Sequence, residues 1–260
     1  ILACRTALLG GHVHQCDCCG FQRKVFHSCR NRHCPKCQAL VKARWLQSRK
    51  NELLPVQYFH AVFTIPHELN SLALINKKEI YTLLFRAVSE TLLQFGKDTR
   101  TGFGGKIGFI AVLHTWDQKL LDHIHLHCLI PAGAITADGT RWQPAKKNFL
   151  FPVKALSKVF RGKFLSFLKS VYEKGRLRFS RSMNNLQNPQ VFQEFITTLW
   201  KKSWVVHTKK PFSQPEKVLD YLGRYIHRVA ISNNRIISLQ NGEVTFSYKD
   251  RNNNNKKKKM

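Results

Sequence analysis

His123-Ile124-His125-Leu126-His127 is the stretch on which the reading of this chain turns. Imidazole and aliphatic side chains alternate with a period of two, the repeat of a β-strand. All three histidines therefore face one way, and Ile124 and Leu126 face the other. Such a strand has one face for a core and one for chemistry. Two neighbouring imidazoles on such a face make a ready divalent-metal site. Residues 107–116 read as a preceding strand, joined to the histidine strand through the polar stretch around 117–119. A turn near residues 119 and 120 sets His114 across from His125, as a third candidate ligand. The plainer reading is a set of half-buried core histidines.

Outward from this hairpin, strands and helices mix without regular βαβ alternation, which indicates the α+β class. Residues 56–65 form a strand signal rich in aromatic and β-branched residues, closed by Pro66. Helical spacing covers residues 39–54, stopped by Pro55, and then residues 75–95, 153–172 and 189–200. A short strand follows at 204–207. A helix is expected from Pro215 to about His227, with Ser213 as its cap and Glu216 in its first turn. Two last strands flank Gln240-Asn241-Gly242-Glu243, a hairpin signal. The polar tract 251–260, with asparagines and then lysines, cannot form a core.

Seven of the eight cysteines lie between Cys4 and Cys37, which marks a separate small module. Cys16 and Cys19 form one C-x-x-C pair, and Cys34 and Cys37 form another. Two such pairs supply four thiolates, the usual set for a closed structural zinc site. Cys4, His12, Cys29 and His33 are further candidates, and Cys29 and His33 lie close enough to Cys34 to help hold a second ion. A disulfide framework is the main alternative, and it needs an oxidising compartment for which no targeting sequence is seen. The module is expected to span residues 1–54 with its following helix, ahead of a main domain at 55–250.

Lysine and arginine total 43 against 15 acidic residues, a formal net charge of +28. That excess repels itself unless a polyanion offsets it, so a phosphate-rich partner is expected rather than an anionic membrane. No run of apolar residues approaches the roughly 18–20 needed to cross a bilayer. Arg30 and Arg32 in the cysteine module, and Arg224 and Arg228 near the late helix, are the cations best placed by sequence to meet phosphate. In that helix Tyr221 and Tyr225 stand four residues apart, so both phenols rise from one face. A phenol near a metal-polarised phosphate can attack phosphorus and store the bond energy as a phosphotyrosine. Asp122 and Asp220 are the nearest acids that could orient such groups.

Taken together, these stretches resemble a known family. His125-Leu126-His127 followed by a two-tyrosine helix is similar to the HUH nuclease superfamily in its two-tyrosine form. The order of motifs resembles bacterial rolling-circle transposases of insertion-sequence family 91. The matching pieces are Cys4-Arg5-Thr6, Leu9-Gly10-Gly11-His12, Cys16-x-x-Cys19-Gly20, Ser28-Cys29-Arg30-Asn31-Arg32-His33-Cys34-Pro35-Lys36-Cys37, Tyr58-Phe59-His60-Ala61-Val62-Phe63-Thr64, His114-Thr115-Trp116, and Tyr221-Leu222-Gly223-Arg224-Tyr225-Ile226-His227-Arg228. Ile124 stands where the family commonly has proline. The resemblance implies an HUH-type central antiparallel sheet flanked by helices, behind an N-terminal zinc-binding domain. It implies Mg²⁺ or Mn²⁺ at His125 and His127, and Tyr221 and Tyr225 as nucleophiles that nick and rejoin single-stranded DNA at transposon ends. It also implies a location in the bacterial cytoplasm, at the nucleoid, and relatives that run on past the lysine tract, so that this copy is a truncated one. A replication initiator or relaxase shares the chemistry, and a non-catalytic zinc-dependent DNA-binding protein is the alternative of another class.

Overall fold

The computed structural model describes residues 1–31, 34–101, 103–145, 150–210, 212, 214–226, 235–250, 253–254 and 256–260; for residues 35, 101, 221 and 224–226 it describes the backbone alone. In order the elements are β1 (Gly11–Gln15), β2 (Gln22–Phe26), α1 (Pro35–Asn51), β3 (Tyr58–Thr64), α2 (Asn70–Ile75), α3 (Lys77–Lys97), β4 (Ile110–Trp116), β5 (Asp122–Pro131), β6 (Gly133–Ile135), β7 (Trp142–Pro144), α4 (Val153–Glu173), α5 (Pro189–Lys201), β8 (Val205–Thr208), α6 (Pro215–Ile226), β9 (Ile236–Gln240), β10 (Glu243–Asp250) and β11 (Lys256–Lys259).

Two compact units emerge, Ile1–Leu53 with Glu216–Met260, and Leu54–Pro215. One break falls at residue 54, and residues from Glu216 onward group with the cysteine segment.

In the unit Leu54–Pro215 a four-stranded antiparallel sheet runs in the order β4-β5-β3-β8. Alternation sorts its side chains cleanly. Phe59, Ala61 and Phe63 of β3, with Ile124, Leu126, Cys128 and Ile130 of β5, enter one hydrophobic core. Helices α3 and α4 cover that face, each through apolar residues three and four apart, such as Leu84, Val88 and Leu92 on α3 and Phe160, Phe164 and Leu168 on α4. Phe160 is fully buried, edge-on to Phe63 with centroids 5.3 Å apart, and it meets Trp204 at 5.2 Å. Buried rings of this size dominate the energetics of such a core. Helix α5 starts where Asn188 accepts from the N–H of Gln190 at 2.8 Å, with Pro189 in its first turn. The central antiparallel sheet flanked by helices is therefore as the sequence indicated.

In the other unit the hairpin β1–β2 leads to α1. α6 packs on α1 through Gly223, where an added Cβ would lie 2.7 Å from a Leu46 methyl, and Lys50 pairs with Asp220 at 2.9 Å. The polar tail holds a strand that composition did not suggest. β11 pairs with β10, aided by Lys258 against Asp250 at 2.7 Å. Three residues of the sequence reading, Ser213, His227 and Arg228, lie outside the described residues, as do Arg32 and His33. Among the described residues no helix is long and apolar enough to cross a membrane.

Candidate metal centres

The two knuckles expected to share an ion are not brought together. Instead the sulfurs of Cys4, Cys29, Cys34 and Cys37 all lie within 4.8 Å of one another. Cys4 Sγ is 3.5 Å from Cys37 Sγ, and Cys29 Sγ is 3.7 Å from it. A tetrahedron with Zn–S bonds of 2.3 Å has edges of about 3.8 Å, whereas a disulfide needs about 2.05 Å. The donor set and spacing fit a closed tetrathiolate zinc site. Local structure explains how it forms. The β1–β2 hairpin doubles the chain back, with Arg5 N–H donating to the His27 carbonyl and His27 N–H to the Gly10 carbonyl, both at 3.0 Å. Cys4 and Cys29 are thereby neighbours, and Cys29 N–H points at Cys4 Sγ from 3.4 Å. Cys34 caps α1 ahead of Pro35, and Cys37 sits in the first turn. The Cys37 N–H holds the Cys34 thiol down at about 6, with the other three thiols assisting against burial. Cys16 and Cys19 lie exposed at the hairpin tip, and His12 and Arg30 are also exposed.

On the sheet, the face opposite the core carries the histidines. β4 pairs with β5 so that His114 stands directly across from His125, the register expected from the turn position. One nitrogen each from His114, His125 and His127 falls within 4.8 Å of the others, and all three side chains are buried. His125 Nδ1 is 2.7 Å from the His123 carbonyl oxygen. A carbonyl only accepts, so Nδ1 carries the proton and Nε2 offers its lone pair. Burial pushes the His114 imidazole down to about 3, with His125 and His60 adding to the effect. A neutral imidazole is the form a metal ion takes. Three such nitrogens fit a divalent transition ion better than Mg²⁺, which demands oxygen ligands.

His60, on the same face of β3, was not singled out as a site residue in the sequence. It is 7 % exposed, and its Nε2 lies 2.8 Å from His127 Nδ1 with the two rings stacked. Burial first, then Lys209 and His207, lowers its pKa to about 4. A hydrogen bond to the far nitrogen of a ligating imidazole sets its orientation and tautomer. That is the part the sequence reading gave to an acid. Asp220 is instead engaged with Lys50, and Asp122 is exposed at the start of β5. The sequence signals for His60 are its place in the matching stretch Tyr58–Thr64 and an imidazole in a largely apolar strand. Tyr221 and Tyr225 both fall within α6, together with Arg224.

A thiol cage of zinc dimensions and a histidine-faced antiparallel sheet give this α+β chain two side-chain clusters with the donors to hold metal. Residues 108–260 match the family described as "Putative transposase", and residues 1–65 match "Transposase zinc-binding domain". The chain belongs to this transposase family, of the insertion-sequence 91 kind. It is 49% identical over 257 residues to "Putative transposase y4qJ" of Sinorhizobium fredii (strain NBRC 101917 / NGR234), covering 99% of this chain and 64% of that one. It is 27% identical over 253 residues to "Transposase for insertion sequence element IS801" of Pseudomonas savastanoi pv. phaseolicola, covering 96% and 59%. The chain thus spans less than two thirds of the length of these relatives. Among solved structures it is similar to "Conjugative Relaxase Trwc In Complex With Orit DNA. Metal-Bound Structure", at 16% identity and a TM-score of 0.36 over 66% of each chain.

Proposed function

We propose that this chain nicks and rejoins single-stranded DNA at transposon ends, with a phenol of α6 as nucleophile and the buried imidazole set as the metal-holding partner. The observation that carries the reading is the convergence of His114, His125 and His127 on one sheet face in a chain of a transposase family. His125 and His127, with His114, would hold a divalent ion, Mn²⁺ in preference to Mg²⁺ on the donor set. When bound, such an ion polarises the scissile phosphate and eases departure of the 3′-oxygen.

The rest falls to the chain's own groups. The oxygen of Tyr221 or Tyr225 forms a bond to phosphorus as the bond from phosphorus to the 3′-oxygen breaks. The phenol proton passes to solvent, and the 3′-oxygen gains one. The 5′-phosphate remains on the tyrosine, and attack by a 3′-hydroxyl reverses the step, releasing the phenol. The second tyrosine serves a second strand exchange. Arg224 and Arg228 neutralise phosphate beside the phenols, and Arg30 and Arg32 of the zinc module dock on DNA. His60 Nε2 accepts a hydrogen bond from the Nδ1–H of His127, which leaves the Nε2 of His127 for the ion. Binding to DNA falls steeply with salt, as counterion release by a chain of this charge requires. The chain works on the bacterial nucleoid in the cytoplasm.

Incubation with single-stranded DNA and Mn²⁺, followed by denaturing electrophoresis, tests the reading. The wild-type chain forms an SDS-stable adduct. Tyr221→Phe combined with Tyr225→Phe forms none, and the single variants identify the first nucleophile. His125→Ala with His127→Ala reduces the adduct to background. An adduct that survives in the double tyrosine variant removes the phenols from the chemistry.

A further inference from the structure

The tetrathiolate cage leaves the first C-x-x-C knuckle with no part to play. Cys16, Cys18 and Cys19 are free and exposed at the tip of β1–β2. Their turn is nevertheless ordered by backbone hydrogen bonds. Cys16 N–H donates to the Phe21 carbonyl and Gly20 N–H to the Cys16 carbonyl, each at 2.9 Å. Gly20 takes φ +70, a conformation that glycine adopts without strain.

The strand that leads to this turn brings nitrogen. His12 and His14 are at alternate positions of β1 and so share one side, and Cys16 follows one residue past its end. The His12 and His14 rings stack at 4.6 Å, and His27, just beyond β2, is 5.5 Å from His12. All are exposed, with no buried apolar residue in β1 or β2 to explain why imidazoles gather there. Adjacent same-side positions on a strand are about 7 Å apart, a gap that an imidazole and a metal–sulfur bond together can close. Unlike the four sulfurs of the cage, these donors are spread along the hairpin, and metal binding would draw them in, as it does in small modules that fold on their ion.

We propose that the hairpin tip is a second zinc-class site, with Cys16 and Cys19 as thiolate ligands and nitrogen from the His12–His14 pair. The cysteine segment would then be held by two ions of different character, one all-sulfur and one mixed sulfur and nitrogen. The proposal is independent of DNA cleavage.

The test uses the full chain carrying His125→Ala and His127→Ala, so that the sheet contributes no ion. Zinc is counted by elemental mass spectrometry after desalting, and the Co²⁺-loaded chain is examined by visible absorption. Two zinc ions per chain are expected. Cys16→Ser with Cys19→Ser, and separately His12→Ala with His14→Ala, should each lose one. The remaining Co²⁺ spectrum should then be that of an all-thiolate tetrahedral centre. Cys18→Ser should keep both ions. The histidine variant removes no thiol, so it reads the hairpin even where the cysteine variant unfolds the module and loses both. A single zinc in the parent chain, unchanged zinc in either double variant, or loss of an ion on replacing Cys18 alone overturns the assignment.

Discussion

Around the cage, four sulfurs within 4.8 Å are themselves the centre of the fold, and the hairpin beside them buries nothing apolar. Around the imidazole cluster the order is reversed. The sheet stands on a large apolar core under α3 and α4, and the histidines occupy the face that core does not need. The first region is organised around its donors, whereas the second is organised around an apolar core that leaves its donors free. The same element of chemistry, a set of converging donors, thus carries opposite energetic weight in the two places.

The comparison breaks most visibly when zinc is withdrawn. A strong chelator, or Cys34→Ser with Cys37→Ser, should unfold residues 1–53, since structural zinc in such modules supplies on the order of 10–16 kcal/mol. Limited proteolysis should then cut within this segment while residues 54–215 stay resistant. Equal loss of both regions would show that they are one cooperative unit. Phe160→Ala is the complementary change. It should cost the sheet unit about 3–5 kcal/mol in chemical denaturation and leave the zinc content intact. Preserved stability would mean that the contacts with Phe63 and Trp204 are not what the core rests on.

A smaller effect comes from pH. His60 and His114 are held neutral in the folded chain, at about 4 and about 3 against an ordinary 6.5. Between those values the unfolded chain binds protons that the folded chain does not. Stability of the metal-free sheet unit is therefore complete above pH 6.5 and declines as the pH falls towards 4. Thermal unfolding in chelator at pH 7.5 and pH 5 measures it, and His60→Asn should flatten the dependence. A melting temperature that is insensitive to pH across this window contradicts the neutral, buried state of these rings.

What could be read from the sequence follows from range. Period-two alternation in β5 is a local property, so the histidine face and even the pairing of His114 with His125 across a short turn were open to inspection. Prolines 55 and 66 bounded their elements for equally local reasons. The cage was not legible, because its membership depends on a hairpin that returns Cys29 to Cys4, while C-x-x-C spacing favours the nearest repeat. His60 escaped for the same reason, since its partner is 67 residues away and only strand pairing joins them. The lysine strand β11 is exposed along its whole length and adds no core, in keeping with the composition of the tail. It exists because β10 offers a free edge and Asp250 a counter-charge to Lys258.

The interval between Cys37 and His127 also has a meaning in time. Every sulfur of the cage has been synthesised by Cys37, whereas the imidazole set is incomplete until β5 is made. At about 5–20 residues per second the second set trails the first by roughly 5–20 s on the ribosome. During that interval the nascent thiols can load their ion before the imidazoles of the sheet exist to compete for it.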